Sequence, residues 1–100
     1  MIDLSQVIGF DWDEGNSFKS AEKHSVSQAE AEQVFTDEQL FVADDVKHSQ
    51  HEARYQALGR TIDGRHLHVT FTLRKNQTRV RVISARDMNR KERGLYEQET

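Results

Sequence analysis

Cysteine and proline are both missing from this chain of 100 residues, and no apolar run approaches the roughly 18 residues that would mark a membrane-spanning helix. Without cysteine there is no disulfide, no thiol nucleophile and no thiolate metal site, a pattern that fits a cytoplasmic protein. Without proline, the turns rest on glycine, asparagine and aspartate. No basic segment followed by an apolar one opens the sequence, so no secretory leader is expected. The length suits one domain over residues 1–100, with one modest core.

What is present is charge, and it is segregated. The formal net charge is only -3. Residues 1–53 nevertheless carry a balance of -9, and residues 54–93 a balance of +8. A basic C-terminal half suits an anionic partner such as nucleic acid. Equally, an acidic helical layer can pair with arginine-rich strands inside one fold.

The run Arg79-Val80-Arg81-Val82-Ile83-Ser84-Ala85-Arg86 alternates cations with β-branched residues. As a strand it puts Val80 and Val82 on one face and Arg79 and Arg81 on the other. His66-Leu67-His68-Val69-Thr70-Phe71-Thr72-Leu73 alternates too, and a turn near Lys75-Asn76-Gln77 would pair the two strands. One face of that hairpin is apolar. The other combines two arginines with two histidines, which core packing does not require.

The rest of the chain reads as a small α+β domain in the order β-α-α-β-β-β-β-α. Phe10-Asp11-Trp12 predicts a short strand, and Asp13 can cap a helix from about Glu14 to His24. Ser27-Gln28-Ala29-Glu30 is a capping box that opens a second helix, with Val34 and Phe35 on its buried side. Strands are expected from Gln39 to Ala43 and from Glu52 to Ile62, with Gly59 a candidate bulge. Asp63-Gly64 signals a two-residue hairpin. A last helix starts at Asp87 or Asn89 and runs through Tyr96. An antiparallel sheet of four to five strands results, with its helices on the apolar face.

The motifs Lys23-His24-x-Val26-Ser27, His48-Ser49-x-x-Glu52-x-Arg54 and Arg79-x-Arg81-x-Ile83-Ser84-Ala85-Arg86 occur in that order. Together with Phe10-Asp11-Trp12-Asp13, Leu58-Gly59, Gly64-Arg65, Glu92-Arg93 and Tyr96, they resemble the BrnT family of type II toxins across residues 10–97. The resemblance implies a RelE-like fold and a metal-independent endoribonuclease that needs no cofactor and inhibits growth. It also implies neutralisation by a BrnA-type ribbon-helix-helix antitoxin in a 2:2 complex, with operator DNA bound only through the antitoxin. The chain departs from the family pattern at Asn16, Ser20, Ser25 and Gln28, where that pattern has a cation, an asparagine, a glycine and an aromatic. Those departures leave open an alternative, a catalytically inactive member of the fold that binds antitoxin or nucleic acid.

Metal-free RNA cleavage needs a base for the 2′-hydroxyl, cations for the pentavalent phosphate and a proton for the 5′-oxygen. Arg79 and Arg81 are the first choices for the phosphate, because a guanidinium fork matches phosphate oxygens; Arg65 and Arg86 are their expected neighbours. His24 can serve in proton transfer or simply end its helix. Glu52 can act as base, or pair with Arg54 or Lys23, and Lys23 can ease phosphate charge. His66, His68 and Lys75 are expected to touch substrate. His66-x-His68 and His48-x-x-His51 have metal-ligand spacing, but with arginine crowding the face no metal is expected. Trp12 and Tyr55 can stack on bases or fill the core.

Overall fold

A computed structural model describes residues 3–16 and 19–99, without the side chains of Lys19, Ser20 and Glu99. Five strands form one sheet: β1 (Gly9–Phe10), β2 (Phe41–Asp44), β3 (Tyr55–Arg60), β4 (His66–Arg74) and β5 (Arg79–Asp87). Their spatial order is β1-β5-β4-β3-β2. The pairs among β2 to β5 are antiparallel, as expected. The sheet is nevertheless mixed, because β1 lies parallel to β5, Gly9 opposite Arg79 and Phe10 opposite Val80.

The core confirms the expected parity. Leu67, Val69 and Phe71 of β4 and Val80 and Val82 of β5 are buried together with Ala57 of β3. Against this first face pack α1 (Lys19–His24) and α2 (Gln28–Val34), through Val26, Ala31 and Val34. The Ser27 capping box forms as predicted, with Ser27 Oγ accepting from Glu30 N and Glu30 Oε1 accepting from Ser27 N. Trp12 joins the margin of the core and donates its indole N–H to Glu32 at 2.8 Å. Tyr55 packs on Phe71.

Four expectations need correction. Among the described residues the first helix covers Lys19–His24 and does not include Glu14. Residues 14–16 form a turn in which Asn16 accepts from Asp13 N and donates to Asp11 O and Val82 O. Such side-chain bonds to backbone compete with helix; Ser17 and Phe18, within the predicted helix, lie outside the described residues. Gly59 makes no bulge. It is the point where α2 touches the sheet, and a Cβ there would sit 2.7 Å from Val34 Cγ1. The Asp63-Gly64 hairpin is one residue longer than expected. Thr61 N donates to Arg65 O across Ile62, Asp63 and Gly64, and Gly64 takes φ 88°, the three-residue loop with a left-handed glycine.

The fourth correction concerns α3 (Arg90–Glu99), which does not share the apolar face. It lies against the second face, where Leu58 and Tyr96 are buried together with His68. Asn89 and Glu92 close a reciprocal capping box at its start. Tyr96 donates its hydroxyl to Asp37 at 2.5 Å, and burial and Asp37 together push the phenol up to about 12. The sequence of α3 is strongly polar, so these few anchors decide where it docks.

Ser25 ends α1 with φ 56°, in the left-handed region. That conformation costs a non-glycine residue on the order of 1 kcal/mol. We predict that Ser25→Gly raises stability by roughly 0.5–1 kcal/mol. Gly59→Ala should lower it by about 1–3 kcal/mol through overpacking on Val34. Urea unfolding of both variants checks the pair; a destabilised Ser25→Gly would contradict the strain at this position.

Candidate active site

The second face is built by one irregularity. Between β4 and β5 the register steps from Thr70 opposite Ser84 to Phe71 opposite Val82, so Ile83 has no partner. Strict alternation would put Arg86 on the valine face. With Ile83 skipped, Ala85 takes the core position and Arg86 turns to the side of Arg81. The face therefore carries Arg74, Arg79, Arg81 and Arg86 from two neighbouring strands. Its end near β3 is covered by α3. The loop before β3 lies over Thr72, which is buried and donates to Ala53 O, and the rest is partly open.

Three adjoining concavities open there. One of about 340 Å³ includes Asp45, His48, Arg54, His68, Ser84 and Arg86 in its lining. A smaller one of about 170 Å³ includes Glu52, Arg54, Arg74 and Arg81. A third of about 270 Å³ is lined by Lys47, His48, Gln50, His51, Glu52 and Arg54. Arg54 borders all three, and His48 borders two. The residues of the His-Ser-x-x-Glu-x-Arg run thus sit at the junction.

Most of the arginines are committed to carboxylates. Arg81 grips both oxygens of Asp13 at 3.0 Å, with Asp11 at 3.7 Å. Asp13 holds the guanidinium more firmly protonated, and Arg81 in turn lowers the Asp13 carboxyl. Arg86 makes two 2.8 Å bonds to Glu92, and Arg74 bonds Glu52 at 3.0 Å. Arg54 differs. Its backbone is hydrogen-bonded, but among the described residues its guanidinium has neither a hydrogen bond nor an ion pair. Arg79 lies along Gly9 at the β1 edge, outside the three concavities, with Nη1 buried and without a hydrogen-bond partner among the described residues.

The other expected residues fall elsewhere. Lys23 is exposed on α1, and the His24 carbonyl accepts from Arg65. Arg65 is saturated: it bonds Asp87 through Nε and Nη2, and also reaches Ser25 O and Glu30. It closes the C-terminus of α1, and neither it, Lys23 nor His24 lines the groove. Lys75 is exposed in the β4–β5 turn at φ 53°.

His66 and His68 do share a face with the arginines, but α3 covers them. The His66 ring meets Tyr96 edge-on at 5.6 Å. His68 is only 4% exposed, and among the described residues neither ring nitrogen has a hydrogen-bond partner. Glu92 stands 3.6 Å from its Nε2, too far for a hydrogen bond. Burial pushes the imidazole down, so it is neutral near pH 7. Among the described residues no group of three or more His, Asp or Glu side chains is placed to hold a metal ion.

The sequence reading missed one pair. Both carboxylate oxygens of Asp45 lie 3.0 Å from His48 Nδ1. The Asp45 side chain is 8% exposed and that of His48 is 58% exposed. Burial alone would raise the Asp45 carboxyl; the hydrogen bonds from His48 and Gln56 outweigh it and hold it below the usual range. The motif contained His48, but spacing alone had grouped it only with His51. Asp45 lies outside the quoted motifs.

The comparisons agree with this architecture. Residues 12–92 match the family model described as ribonuclease toxin, BrnT, of type II toxin-antitoxin systems. No curated protein matches the chain. The 1.1 Å crystal structure of the Brucella abortus ribonuclease toxin BrnT superposes with a TM-score of 0.62 at 21% identity. That alignment covers 84% of this chain and 100% of the Brucella chain. The five-stranded mixed sheet with its three helices is thus shared with a solved toxin, and the family match spans the segments that build the groove. The chain belongs to the BrnT family of ribonuclease toxins of type II toxin-antitoxin systems.

Proposed function

We propose that the chain cleaves RNA without a metal, on the open half of the second face, by attack of the RNA's own 2′-hydroxyl. One observation carries this reading. Among the described residues Arg54 presents an unpaired guanidinium where three concavities meet, and of the lining arginines it is the one without a carboxylate there. A fork of donors with no protein acceptor is a receptor for a phosphate.

Arg81 stands next in availability. Its partner Asp13 is 57% exposed, and an exposed ion pair is worth about 0–1 kcal/mol. A phosphate can displace that carboxylate at little cost to the fold. Arg86 is bound more tightly, since Glu92 also opens α3. Glu52 orients Arg74 beside the groove. Arg79, first choice from the sequence together with Arg81, contributes charge from the edge. Lys23, His24 and Arg65 hold or flank the α1 end.

A type II toxin implies an antitoxin, and its kind is proposed here as BrnA-type with a ribbon-helix-helix DNA-binding domain, in a cytoplasmic 2:2 complex. Operator DNA is then bound by the complex. Basic surface near the groove and on α3, including Arg54, Arg60, Arg90 and Lys91, suits an acidic antitoxin segment. Hydrogen exchange of the complex should show protection there, and protection confined to residues 13–45 would contradict the placement.

The purified chain, free of antitoxin, should cleave single-stranded RNA in EDTA and leave 2′,3′-cyclic phosphate ends. A strict requirement for Mg²⁺ would sink this mechanism. Arg54→Ala should slow cleavage on the order of 10²–10³-fold, the usual loss for one donor to a developing anionic charge. Arg81→Ala should also cost strongly and Arg79→Ala less, with melting temperatures nearly unchanged for Arg54→Ala and Arg81→Ala. Full activity in Arg54→Ala would remove this residue from the site.

A further inference from the structure

The proposed cleavage still needs a group to take the 2′-hydroxyl proton. We propose that His48 is the general base of this reaction and Asp45 its positioning residue. The inference rests on the cleavage reading above and supplies what that reading lacks.

Four observations carry it. First, the Asp45 carboxylate holds His48 by Nδ1, so in the neutral ring the proton sits on Nδ1 and Nε2 keeps its lone pair. Nε2 has no hydrogen-bond partner among the described residues. Second, the ring borders two of the three concavities where Arg54 stands. Third, Asp45 is buried and among the described residues has no guanidinium or ammonium partner; its acceptors are used by His48 and Gln56.

Fourth, the same loop ties base and cation together. Asp45 N donates to Arg54 O at 2.9 Å. Ser49 Oγ donates to Asp45 O at 2.7 Å and accepts from Arg54 N at 3.0 Å. The loop is thereby closed into a knot that fixes His48 relative to Arg54, as a proton acceptor beside a phosphate clamp must be fixed. That gives the His-Ser-x-x-Glu-x-Arg spacing a physical reason.

The other candidates are less suited. His68 is sealed under α3, and His66 lies against Tyr96. Glu52 is bound to Arg74. His51 borders the outer pocket, but among the described residues no carboxylate orients it. In the reaction, Nε2 takes the 2′-hydroxyl proton and an electron pair of that oxygen forms the bond to phosphorus. The bond from phosphorus to the 5′-oxygen breaks, its pair staying on that oxygen. The 5′-oxygen takes a proton from water, and His48 returns its own to the hydroxide so formed. No net proton is consumed.

The test compares wild type, His48→Ala and Asp45→Asn on one RNA oligonucleotide across pH. The charged and titratable groups around the ring are Asp45, Lys47, His51, Glu52 and Arg54 from its own loop. Arg86, His68 and Glu92 face it from β5, β4 and α3. His48→Ala should lose on the order of 10²–10⁴-fold in rate, with binding of a 2′-O-methyl analogue unchanged and partial rescue by free imidazole. Asp45→Asn should lose a comparable factor, and nitrogen-15 spectra of its neutral imidazole should no longer show the proton confined to Nδ1.

Wild-type cleavage with His48→Ala within threefold of it would overturn the assignment alone. Wild type that cleaves no RNA would overturn the cleavage reading and this inference with it. Should Asp45→Asn fail to fold, nitrogen-15 spectra of wild-type His48 decide the positioning role. A proton on Nδ1 in the neutral ring supports that role, and one on Nε2 overturns it.

Discussion

The unpaired Ile83 between β4 and β5 governs the placement of chemistry in this molecule. A ladder of perfect period two would keep Arg86 in phase with Val80 and Val82 and bury a guanidinium in the core. Burying an unpaired charge costs several kcal/mol at least, so the sequence tolerates that arginine only where the phase is reset. The bulge resets it in one step: Ala85 fills the core, and Arg86 reaches Glu92. From there the consequences run outwards. Glu92 opens α3, α3 covers His66 and His68, and what α3 leaves bare becomes the groove.

The segregation of charge along the chain also resolves at this face. Simple charge pairing would have the opposed halves neutralise each other throughout. They do so only in part: Arg81 takes Asp13 and Arg74 takes Glu52, whereas Arg86 uses Glu92 of its own basic half. The N-terminal carboxylates are spread over helices and turns; Glu30 meets Arg65 behind the sheet, and Glu32 meets Trp12. Arg54 is left over. In a fold with this many acidic residues, a groove arginine without one is a departure from charge balance, and departures of this kind concentrate where a protein binds its ligand.

What was legible in the sequence follows from what is periodic. The parity of β4 and of the first half of β5, the Ser27 capping box and the turn at Lys75-Asn76-Gln77 are local patterns, and each forms as read. The reading failed where long-range contacts decide. Asn16 unwinds the predicted first helix because its amide finds Val82 O, 66 residues away. Gly59 reads as a bulge but answers to Val34 of α2. α3 reads as one more helix for the apolar face, yet Tyr96 finds Asp37 and Leu58 on the other side. Arg65 carries a motif signal in the sequence, and the sequence does not show that Asp87, Glu30 and the end of α1 are its neighbours.

Asp45 and His48 show the same limit more sharply. A histidine three residues after an aspartate, in a polar loop, has no pattern that separates it from solvated surface. What separates it is the burial of its partner, which depends on Asp45 N finding Arg54 O and on the packing of β2 against β3. An exposed pair of this kind would be worth almost nothing. With one member buried, the carboxylate is kept ionised by hydrogen bonds that outweigh its desolvation, and the imidazole is turned by the same bonds. Orientation is obtained from the fold and reactivity from the exposed ring edge. That division requires a half-buried pair, and no residue composition could have announced it.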